Sequence, residues 1–79
     1  MPVSFSGEYR DAAGYLHARF AVVTGDGKRY MGEAIYDGKL ERTILDDDVL
    51  RLPRDIVIEV KRGMKEFAAK NGTGIDTSK

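Results

Sequence analysis

The sequence predicts a single α+β domain, a three-stranded antiparallel β-meander packed against a C-terminal amphipathic helix, with a second short helix ahead of it. Period-two alternation dominates the first 36 residues, an Asp-Gly turn divides that alternating stretch, and the apolar period shifts to a helical one after Pro53. With 79 residues, 42% hydrophobic and 33% charged, the chain has the balance of one folded domain. The domain is expected over residues 1–72, with 73–79 (TGIDTSK) as a flexible tail.

Val3, Phe5, Gly7 and Tyr9 share one parity while Ser4, Ser6 and Glu8 take the other, which predicts the first strand. Asp11 to Gly14 supply turn chemistry, because Asp bonds its own backbone and Gly accepts positive φ. A second strand follows over residues 15–24, rich in aromatic and β-branched residues, with Leu16, Ala18, Phe20 and Val22 on the core face. Asp26-Gly27 between two alternating runs marks a hairpin, so Arg29 to Tyr36 is the return strand. Its inner face stays open between Met31 and Ile35 on one side and Tyr30, Gly32, Ala34 and Tyr36 on the other.

Residues 38–45 admit either helix or strand. Leu40, Ile44 and Leu45 share a helical face, and a strand would put Arg42 on the core side, which favours the short helix. Asp46, Asp47 and Asp48 then offer capping oxygens to the next segment. Pro53 suits the start of the last helix. At about 100° per residue, Ile56, Val57, Val60, Met64, Phe67 and Ala68 fall in one stripe about 120° wide. Residues 55–60 (DIVIEV) read locally as a strand, and the longer period favours helix. The expected core is Val3, Phe5, Leu16, Phe20, Val22, Ile35, Leu40, Ile44, Ile56, Val60, Met64 and Phe67.

Composition excludes several chemistries. Cysteine is absent, which removes disulfides, thiol nucleophiles, thiolate zinc sites and iron–sulfur clusters within one chain. His17 is the only histidine, so no site here uses two imidazoles from one chain. The acidic triplet lacks the alternate spacing and glycine of a calcium loop, and Gly25-Asp26-Gly27 precedes a strand where a phosphate loop needs a helix. Serines lack a nucleophile-elbow context, and His17 needs a carboxylate such as Glu33 across the strand pair to act as a proton carrier. No metal or cofactor is expected, and the chain reads as a non-enzyme. There is no signal-peptide pattern and no apolar run near the ~18 residues of a membrane span, which makes the cytoplasm the expected location.

Thirteen basic and thirteen acidic side chains give zero net charge, unevenly spread. Residues 1–50 carry six basic and nine acidic groups, and residues 51–79 seven and four. Arg54, Lys61, Arg62, Lys65 and Lys70 are therefore the candidate surface for a partner or for nucleic acid, against the simpler reading of a solvated face with pairs such as Arg62 and Glu66. Tyr9, Tyr15, Tyr30 and Tyr36 fall at strand positions and are the candidate interface aromatics.

Ser4-Phe5 in the first strand, the Asp11-Ala12 turn, Arg19-Phe20 in the second strand and the Asp26-Gly27 turn occur in an order that resembles a family of small proteobacterial domains of unknown function, about eighty residues long. The similarity spans residues 3–45 and implies a compact α+β domain, with no activity or site attached. The functional expectation is a small binding or regulatory module acting through protein contacts, as a homodimer or with another protein. A nucleic-acid-binding regulator using the basic helix is the alternative, and a phage-type or toxin-system inhibitor the second alternative.

Overall fold

A computed structural model describes residues 3–71. The expected tail at 73–79 lies outside the described residues. Four antiparallel strands run in sequence order, β1 (Val3–Arg10), β2 (Leu16–Val23), β3 (Arg29–Asp37) and β4 (Arg42–Leu45), followed by a single turn α1 (Asp47–Leu50) and the long helix α2 (Arg54–Asn71). The α+β class and the helix through residues 55–60 agree with the expectation; the described residues form four strands where three were expected.

β2 sets the two faces of the sheet. Leu16, Ala18, Phe20 and Val22 point to the core and pair in register with Tyr36, Ala34, Gly32 and Tyr30 of β3, which settles the inner face left open by the sequence. α2 covers that face with Ile56, Val60, Met64 and Ala68, all buried. Phe5 of β1 stacks on Phe67 of α2 with ring centroids 5.0 Å apart. Gly32 makes room for the layer above it. A Cβ there would lie 2.9 Å from Phe20 Cε2 and 3.0 Å from Val49 Cγ2.

Three expectations are corrected. Residues 38–45 form a hairpin turn and β4 instead of a helix. The Asp37 carboxylate accepts hydrogen bonds from the backbone N–H groups of Lys39 at 2.9 Å and Leu40 at 3.3 Å, and Glu41 adopts a left-handed φ of 51° that turns the chain back onto β3. Leu40 is consequently 66% exposed at the loop tip, and Ile44 points to the open face opposite Ile35, so all three leave the expected core. Thr43 and Leu45 face α2, with Leu45 buried, while Arg42 faces away from the core, which removes the objection to a strand.

The third correction concerns Tyr9. The register runs Ser6 with Arg19 and then Tyr9 with His17, so β1 carries one extra residue at Gly7-Glu8. Gly7 has φ 63°, the left-handed conformation of a glycine bulge. The inserted residue flips every later side chain. Tyr9 therefore leaves the face of Val3 and Phe5 and joins His17 on the other side.

The ends of α1 and α2 follow their local chemistry. Asp46 caps α1, its carboxylate accepting from the Val49 N–H at 2.9 Å. The Pro53 carbonyl accepts from Ile56 and Val57, placing the proline at the start of α2. Ile56 and Val60 are buried while Ile58 between them is exposed, which a strand could not arrange. No helix among the described residues is long and apolar enough to cross a membrane.

Candidate functional site

The basic side chains proposed from sequence separate once α2 is placed. Lys61 and Lys65 lie one turn apart on the flank of α2 that faces β4, and both line an open cavity of about 630 Å³. Its other walls are the Leu40–Leu45 segment, Tyr36 and Leu50. An adjoining cavity of about 350 Å³ shares Tyr36, Glu41 and Lys65 and continues towards Leu16 and Ala68. The first is a channel between β4 and α2, and the second extends it past the end of β3 along α2. Arg62 points elsewhere and is held by Glu59 at 3.1 Å, an i,i+3 pair in place of the expected one with Glu66. Arg54 and Lys70 are exposed at opposite ends of the helix and line neither cavity.

Two properties make the channel a candidate for binding. The side chains of Lys61, Lys65 and Arg42 have no hydrogen-bond or ion-pair partner among the described residues, whereas Glu41 is the single carboxylate in the wall. β4 is the last strand of the sheet, and no strand among the described residues pairs with its outer side. Backbone groups of alternate β4 residues on that side therefore have no strand partner among the described residues, the usual condition of an edge strand. The Tyr36 phenol at the floor is held above its ordinary value of 10.0, first by burial and then by the negative charges of Glu41 and Asp37.

The candidate aromatics do not form one surface. Tyr30 and Tyr36 project from the core side of β3, Tyr9 lies on the opposite face, and Tyr15 precedes β2. His17 sits beneath Tyr9, its ring stacked at 4.6 Å, and its side chain is only 13% exposed. Its Nε2 is 2.7 Å from Asp11 Oδ2, and its Nδ1 faces Glu33 at 3.7 Å, too long for a hydrogen bond. Glu33 is diagonal to His17, since Arg19 pairs with Glu33 and Ile35 with His17.

Sequence reasoning missed Asp11 as the histidine's partner. Its carboxylate also accepts from the backbone of Ala13 and Tyr15, and the His17 bond, followed by these, holds its pKa below 3.8. The usable signal was the turn itself, because an Asp that closes a tight hairpin lies beside the first outward residue of the next strand. The imidazole is thus framed by one ring and two carboxylates, an arrangement that orients it. No group of three or more His, Asp or Glu side chains suited to a metal ion occurs among the described residues. Comparison with known proteins finds no matching family model, curated protein or solved structure.

Proposed function

We propose that the protein is a small non-enzymatic binding module that takes a segment of another polypeptide into the channel between β4 and α2. The observation that carries this reading is a cavity lined by β4, an edge strand of the sheet, together with Lys61 and Lys65, whose side chains have no partner among the described residues. Polypeptides recognise such edges through main-chain hydrogen bonds, which need no enclosed pocket. Nucleic acid is the weaker reading, because Arg62 is engaged by Glu59 and Arg54 and Lys70 lie outside the channel, leaving few cations in one line for a phosphate backbone. Pairing of β4 with β4 of a second copy is also disfavoured, because that strand, Arg42 to Leu45, carries no carboxylate for the lysines.

Selection of displayed random decapeptides against the full chain, followed by amide chemical-shift mapping of the selected peptides, tests the reading. Selected peptides are expected to shift the amides of residues 40–45 and to lose binding in the Lys61→Glu, Lys65→Glu double variant. Peptides that map to the open face around Met31 would overturn it. A dimer, seen by sedimentation, whose interface shifts the same channel amides would also do so.

A further inference from the structure

Resting on the reading of the channel as a polypeptide site, we propose that its occupant is an extended segment in which acidic and apolar residues alternate, added to β4 as a fifth strand. The spacing of the two lysines carries the argument. Lys61 and Lys65 are four residues apart, about 6 Å along a helix axis at 1.5 Å per residue. Alternate residues of a strand are about 6.6 Å apart. Two acidic side chains at i and i+2 of a strand lying along α2 therefore reach the two ammonium groups together.

The pleat of β4 assigns the other side chains. An added strand continues the alternation of its neighbour, so residues beside Thr43 and Leu45 face α2 and the lysines, and residues beside Arg42 and Ile44 face the open side of the sheet. Ile44 is exposed there next to the half-buried Ile35, which suits an apolar side chain directly opposite. Acidic towards the helix and apolar towards Ile44 is an alternating pattern. Four paired residues of β4 give a docked length of about 13 Å, so a segment of about four to six residues suffices.

Titration with end-blocked octapeptides, followed by amide shifts of the full chain, tests the pattern. The first probe alternates glutamate and valine, and the second alternates lysine and valine. A block peptide places four glutamates ahead of four valines, and a last pair carries the glutamate–valine alternation with N-methyl groups on one or the other set of alternate amides. Methylation on the edge-facing register removes the donors a fifth strand needs. The expected result is that the glutamate–valine alternation shifts the amides of Arg42–Leu45 and binds about tenfold or more tighter than the lysine–valine and block peptides. One N-methylated register abolishes binding. The Lys61→Glu, Lys65→Glu variant inverts the preference, and circular dichroism of it and of the milder Lys61→Gln, Lys65→Gln variant verifies that both are folded. Peptides that bind at the channel with equal strength whatever their charge, order or methylation overturn strand addition while leaving a polypeptide site. Tighter binding of a 16-nucleotide oligothymidine at Lys61 and Lys65 overturns both.

Discussion

The imidazole of His17 lies flat under the ring of Tyr9, with centroids 4.6 Å apart and planes inclined by only 11°. The stack exists because the bulge at Gly7 and Glu8 brings Tyr9 round to the histidine's side of the sheet. Asp11 lies at one edge of the imidazole and Glu33, placed by the β2–β3 register, at the other. One inserted residue thus decides which ring covers the only histidine in the chain.

Acid stability should report on Asp11. Its folded-state pKa lies below 3.8, so the associated stability is present above the unfolded value and is lost as pH falls through the folded one. Asp26, lowered chiefly by its Thr24 hydrogen bond, acts in the same window. Urea unfolding between pH 5 and 2 is expected to show a falling midpoint, with a shallower fall in Asp11→Asn.

At the alkaline end the sign follows from Tyr36. Its phenol binds its proton more tightly in the folded state, so stability is retained below pH 10 and declines as pH rises towards the folded value. Absorbance titration at alkaline pH is expected to show one late phenol that disappears in Tyr36→Phe. In Glu41→Gln that phenol should titrate earlier, although still late, since burial is the larger cause.

Gly32→Ala is expected to destabilise by about 1–3 kcal/mol, because the new methyl meets both Phe20 and Val49. Gly38→Ala provides the contrast. A Cβ at that position meets nothing within 4 Å, and thermal unfolding should change by no more than about 0.5 kcal/mol.

Met64→Ala and Leu40→Ala separate the observed core from the expected one. Met64 is fully buried, and its truncation should cost about 2–5 kcal/mol by chemical denaturation. Leu40, exposed on the hairpin, should change stability by no more than about 0.5 kcal/mol and weaken peptide binding to the channel instead.

What the sequence discloses follows the length of each periodic signal. α2 repeats its apolar stripe from Ile56 to Ala68, long enough to outweigh the β-branched run at its start. β2 alternates without interruption, and its core face is readable residue by residue. β4 has only four residues, too few to establish a period, and the deciding interaction is the Asp37 carboxylate folding over Lys39 and Leu40. Apolar character at Leu40 and Ile44 gave no warning, because both are exposed by the geometry of one loop. The bulge at Gly7 was equally hidden, since the glycine kept the parity of a regular strand. Of the candidate basic residues, charge could name all five, but only the placement of α2 against β4 selects Lys61 and Lys65.

The stacking of Phe5 on Phe67 gives the architecture a mechanical property that a meander alone lacks. Each hairpin in the sheet closes through a short loop, so the strands can zip together locally and early. Joining the two phenylalanines closes a loop from residue 5 to residue 67, a contact of high sequence separation. The pair acts as a clasp between the first strand and the last helix, added to the ladder that holds β1 and the buried stripe that holds α2.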